Sequence, residues 1–225
     1  MFCKLFHLRH LFILLFAIQG LLISCSNSNN LDLQQYNIQK DYSLYRTEFD
    51  EYLTAHFPDS LRFVKNSCIA NTNLEKNDVG FFLYEYGVDE SYINHIKSKL
   101  KAGFIAKYTP NEGCLLVVNR FESYYSHFNN QEVLIKDSSM INRPCYDSLF
   151  PIPNFISNEK RPKAGPVWLD PSFTIYVIEA APNKQFKKFP MEKSFQMPEK
   201  WKNGFSKGIA ISEKKKTIIY WMIIW

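Results

Sequence analysis

Glycine is scarce in this 225-residue chain, eight in all, and proline stops at 11. Such counts exclude collagen-like and low-complexity classes. Charge of one sign is not in large excess either, since 27 Lys+Arg against 22 Asp+Glu leave a formal +5. A balance that small predicts no nucleic-acid partner. HExxH, Cys/His pairs at zinc spacing, GxSxG, the P-loop and the dinucleotide fingerprint are all missing. The sequence therefore predicts no metal and no cofactor. No internal repeat occurs. What is plentiful is apolar and aromatic, at 46% and 16% of residues. That composition predicts a sizeable core and rules out a wholly disordered chain.

The N-terminus has its own pattern. Residues 1–10 carry Lys4 and Arg9 and no acid, and residues 11–23, LFILLFAIQGLLI, form an apolar stretch broken only by Gln19 and Gly20. This is the n-region and h-region of a secretory signal peptide. As a helix the stretch rises about 20 Å, short of the ~30 Å hydrocarbon core. The positive charge ahead of it keeps the N-terminus cytoplasmic and sends the rest across. Removing residues 1–24 takes Lys4 and Arg9 with it and lowers the formal charge from +5 to +3.

The h-region ends in Leu22-Ile23-Ser24-Cys25. This resembles the lipobox of bacterial lipoprotein precursors. The resemblance covers residues 1–25 and implies cleavage before Cys25 and acylation of its thiol and new amine. Palmitate-like chains on Cys25 would hold the protein to a membrane, because two acyl chains suffice for stable attachment. Residues 25–40 then read as the lipidated Cys and a flexible, Ser- and Asn-rich tether. Enterobacterial lipoproteins retained in the inner membrane carry Asp after the Cys. Ser26 stands there, which by resemblance points to the outer membrane. The first acid is Asp32, and the lack of an early acidic cluster points to the periplasmic face. In overall style the chain looks like the uncharacterised lipoproteins of Bacteroidota.

Residues 41–225 read as one α+β domain with a mixed or antiparallel sheet and two main helices. Residues 41–57, DYSLYRTEFDEYLTAHF, place Tyr45, Phe49, Tyr52, Leu53 and His56 on one helical face, and Pro58 ends the run. Strands are expected over 61–70 and 79–86, and a helix over 90–101 is capped by Asp89 and stopped by Gly103. A hairpin is expected from 104–109 and 114–119, followed by a short helix within 121–130. Residues 137–171 hold six prolines and form a long irregular excursion. A strand over 172–180 and a C-terminal hairpin, 204–212 with 217–225, complete the domain. The last strand, TIIYWMIIW, is apolar on both faces, so it is expected at the centre of the core.

Chemistry is harder to find. His56, His95 and His127 are far apart in sequence, and His56 reads as a packing residue. Among Cys68, Cys114 and Cys145 an oxidising compartment allows one disulfide in three possible pairings. Residues 184–216 carry ten Lys against three Glu. Lys187, Lys188 and Trp201 are the candidate contacts of a basic, aromatic patch there. The expected function is a non-enzymatic binding role for an envelope lipoprotein, towards a protein, a toxin or a glycan. The alternative is an envelope hydrolase, with Cys145, Asp147 and His127 as the first residues to inspect.

Overall fold

The computed structural model describes residues 38–62, 64–76, 78–129, 131–155, 167 and 169–225. The signal segment, Cys25 and most of the tether lie outside them. Two units are distinguished, residues 1–41 and 42–225. Of the first, the described residues 38–41 are helical and open α1, which runs over 38–47.

Six strands form one antiparallel sheet: β1 (Lys65–Asn71), β2 (Val79–Tyr86), β3 (Ala106–Tyr108), β4 (Thr174–Pro182), β5 (Gly204–Ser212) and β6 (Thr217–Ile224), in the spatial order β1-β2-β6-β5-β4-β3. The helices are α1, α2 (Glu51–Thr54), α3 (Glu90–Leu100) and α4 (Tyr124–Phe128). The class is α+β, as expected. The C-terminal strand β6 lies between β2 and β5, buried along its length. Ile218, Tyr220, Met222 and Ile224 face one core cluster, and Ile219, Trp221 and Ile223 face the other. That double burial is why the strand shows no polar alternation.

One face of the sheet is covered by helices. The expected 41–57 helix is broken at Glu48–Asp50, where Glu48 and Phe49 make i→i−3 bonds to Tyr45 and Arg46 (3.1 and 3.3 Å). The tight turn swings Phe49 inward. Phe49, Phe57 and Tyr42 then surround Phe81, with ring centroids at 5.9, 4.8 and 5.8 Å. The buried set is Tyr42, Phe49, Leu53 and Phe57, while Tyr45 and Tyr52 stay exposed. An unbroken helix would have buried those two. α3 forms as expected, the Asp89 carboxylate accepting from the Tyr92 amide at 2.8 Å.

The other face is covered by irregular chain. The expected 104–119 hairpin does not form. β3 pairs with β4 instead, and Leu115–Val118 cross the face as a fully buried run. Their one ladder contact is a parallel bridge from Val117 to Ile152. An apolar run of that length does not by itself distinguish a strand from buried coil.

Side chains do the work that ladder hydrogen bonds do elsewhere. Buried Arg120 donates to the carbonyls of Val117, Met140 and Gln196 at 3.2, 3.0 and 2.9 Å. Ser206 donates to Pro151 and Trp225 to Trp201 (2.6 and 2.7 Å). Of the three possible pairings, Cys114–Cys145 is the one joined, with Cα atoms 6.4 Å apart and 31 residues of separation. Closing a loop of that size restricts the unfolded chain by about 3–4 kcal/mol.

The sheet leaves no room for a side chain at Gly208. A Cβ on Gly208 would collide with the Tyr176 carbonyl and stand 2.6 Å from the Trp221 indole, whereas at Gly103 it would meet nothing within 4 Å. Gly208→Ala should therefore lower unfolding free energy by about 3 kcal/mol, and Gly103→Ala by under about 0.5 kcal/mol, in urea titrations. Equal effects would contradict the packing described.

Candidate functional site

The residues singled out from sequence do not converge. Trp201 is 1% exposed and packs against Trp225 and Phe150, so its ring is core and unavailable to a ligand. Lys187 is exposed, and Lys188 forms an ion pair with Glu48 at 2.8 Å. The ten lysines are also split. Those at 184–202 belong to the β4–β5 connection, while Lys214, Lys215 and Lys216 lie in the turn after β5. Nine strand residues, about 30 Å, separate these two ends. Lys207 is a packing pin, reaching the Tyr52 carbonyl at 2.7 Å and Glu179 at 3.0 Å.

The hydrolase trio is not assembled either. Cys145 spends its sulfur in the disulfide, and Asp147 is exposed. His127 lies 3.6 Å from Glu122 in a separate, mainly apolar pocket whose polar residues include Asp78, Asn119 and Asn154. That pocket measures about 30 Å³, room for a water molecule. Cys68 stays outside the bridge on β1.

The larger concavity lies on the helical face. A cleft of about 610 Å³ opens between residues 55–60 and α3. Ile96 and Leu100 of α3 meet Ile178 and Ile209 of the sheet there, and Tyr92, Tyr220 and His56 bring polar atoms. Ile178 is the extra residue where the β4–β5 register shifts between Val177 and Glu179. Such a bulge re-aims a side chain, here into the cleft. Its volume matches small-molecule sites. The charged residues of its lining are Lys99 and Asp59, of opposite sign, and Asp59 pairs with Arg46 at 3.1 Å.

The polar groups are unusual in state. His56 Nε2 lies 3.0 Å from the Trp221 carbonyl, which can only accept, so Nε2 carries the proton. Burial holds the His56 pKa down at about 3 against the pull of that carbonyl, and the nearby Lys207 charge adds to the fall. The ring is neutral at ordinary pH. Tyr92 and Tyr220 share a hydroxyl contact of 3.2 Å. Beneath Tyr220 sits Glu85, with 0% exposure and neither carboxyl oxygen in a hydrogen bond of ordinary geometry. Burial raises its pKa to about 7, while the Arg62 charge and amide and the Tyr220 hydroxyl pull it down.

Glu85 carries no signal in the sequence, because one acid in VGFFLYEY looks like a solvent-facing strand position. Its place opposite Asn66 on β1 and Ile218 on β6 is visible only once the strands pair. His56 was legible as a packing residue; the cleft beside it was not.

No family model matches the chain, and neither a curated protein nor a solved structure does.

The two displaced pKa values oppose each other. Glu85 holds its proton more tightly folded than unfolded, so its stabilisation is full below pH ~4.5 and is lost as pH rises through about 7. His56 holds its proton less tightly when folded, so its stabilisation is full above pH 6.5 and is lost as pH falls towards about 3. Between pH ~4.5 and 6.5 the two slopes cancel. Stability of Glu85→Gln should then rise by about 2 kcal/mol over that interval, and that of His56→Gln should fall by about 2 kcal/mol. Denaturant midpoints at three pH values check this, and parallel profiles for wild type and both variants would refute it.

Proposed function

We propose that this chain is a lipid-anchored envelope protein whose folded part is a binding module, with the cleft beside α3 as its binding site. The cleft of about 610 Å³ is the observation that carries the reading. Four aliphatic side chains at its base, with hydroxyls beside them and opposite charges at Asp59 and Lys99, suit an uncharged amphipathic ligand. Binding is favoured over proton-transfer chemistry there. A histidine titrating at about 3 is too weak a base near neutrality, and the Glu85 carboxyl is sealed from the cleft. The anchor rests on the resemblance of residues 1–25 to lipoprotein precursors, with acylated Cys25 in the outer membrane facing the periplasm. No helix among the described residues is long and apolar enough to cross a membrane.

The hydrolase alternative has one observation behind it, the His127–Glu122 contact of 3.6 Å. With Cys145 bridged, it would need a nucleophile other than the one first considered.

Two measurements test the proposal together. Cys25→Ala should move the protein from the envelope pellet to the soluble fraction or leave an uncleaved precursor. An NMR screen of neutral fragments against the full chain should shift resonances of Ile96, Ile178 and Ile209, and Ile209→Trp, which fills the cleft, should abolish those shifts. Fragment hits that avoid the cleft, or survive Ile209→Trp, would overturn the site.

A further inference from the structure

Glu85 is the buried group that the cleft's shape alone does not use. It lies on β2 with no exposed surface, and neither carboxyl oxygen is in a hydrogen bond of ordinary geometry. Arg62 bears on it from the segment before β1, but that guanidinium is paired with Asp89 at 2.9 Å and stacked 3.7 Å over the Tyr92 ring. From α1, the Tyr42 hydroxyl is committed to the Pro58 carbonyl. β1 brings Asn66, whose amide donates to Arg62 and Val64, and Cys68, which bears on Tyr42. On β6, Tyr220 is paired with Leu83 and so stands one diagonal step from Glu85 on the same sheet face, where its hydroxyl bears on the carboxyl. Tyr220 in turn meets Tyr92 of α3, and both line the cleft.

We propose that Glu85, acting through Tyr220, sets whether Tyr92 offers the cleft a hydrogen-bond acceptor or a donor, so that the preferred ligand group changes with pH. Each phenol has one proton and lone pairs to accept another. An ionised Glu85 draws the Tyr220 proton towards itself. The Tyr220 oxygen then accepts from Tyr92, and Tyr92 is left with lone pairs for a ligand O–H or N–H. A protonated Glu85 turns its own proton to Tyr220. Tyr220 then donates to Tyr92, and the Tyr92 proton is left for a ligand carbonyl or ether oxygen. No bond to carbon forms or breaks, and one proton enters or leaves Glu85. Burial that lifts the Glu85 pKa to about 7 puts the change near neutrality. Glu85 and Tyr220 are positioning residues in this scheme, and Tyr92 is the group that meets the ligand. The inference rests on the cleft being a binding site.

The test uses the full chain and two neutral probes of similar size, indole, which only donates, and acetophenone, which only accepts. NMR titrations at pH 5.5 and 8.5 measure both affinities. Between the two pH values indole affinity should rise about fivefold and acetophenone affinity fall about fivefold, each the worth of one net hydrogen bond, so their ratio should rise about 25-fold. Glu85→Gln should hold the ratio at its low-pH value throughout, and Tyr220→Phe should abolish the pH dependence. A pH-independent wild-type ratio, or a dependence that survives Tyr220→Phe, overturns the proposal while leaving the cleft as a site. Failure of both probes to bind overturns the cleft reading. The relay is then judged without ligand. ¹³C shifts of Tyr220 and Tyr92 ring carbons should follow the Glu85 carboxyl titration with one midpoint, and Tyr92 signals that do not move with Glu85 overturn it.

Discussion

The fold depends on one strand having to be covered twice. Thr217–Ile224 carries apolar side chains in both directions, and burying each is worth about 1.5–3 kcal/mol. Neither face can be left to water. Helices α1–α3 cover one side, where three aromatic rings close around Phe81. Irregular chain covers the other, from Leu115 to Phe155 and around Trp201. An irregular layer has few ladder bonds of its own. Arg120, Ser206 and the Cys114–Cys145 bridge supply its fixed points.

That constraint was legible. The absence of alternation in TIIYWMIIW predicts a central strand, and Asp89 before an apolar period predicts α3. Less legible was anything that depends on which segment meets which. The 41–57 period holds only for an unbroken helix, and burying Phe49 against Phe81 and Phe189 breaks it. The LLVV run at 115–118 reads as a strand until its buried, almost ladder-free setting is seen. The Pro-rich excursion reads as irregular, and its described part up to Phe155 is so, but nothing in the sequence marks that part as a layer of the core.

The candidate site was less legible than the fold. A run of lysines suggested one patch, yet the chain places its two ends at opposite ends of β5, and Lys207 turns inward. Trp201 looked like a platform for a ligand and is a wall of the core. The cleft has no sequence signature, because its lining comes from α3, residues 55–60 and the bulged β4–β5 pair. Glu85 and His56, on β2 and just after α2, are drawn in opposite directions by the same cause, burial without full hydrogen bonding.

β6 is sealed on both faces, and amide hydrogen exchange on the full chain tests this most directly. Amides of Ile219–Ile223 should exchange only through global unfolding, at least about a hundredfold more slowly than those of Ser67–Ala70 on the edge strand β1. Exchange in β6 as fast as in β1 would mean that one of the two covering layers opens on its own, and would contradict the account.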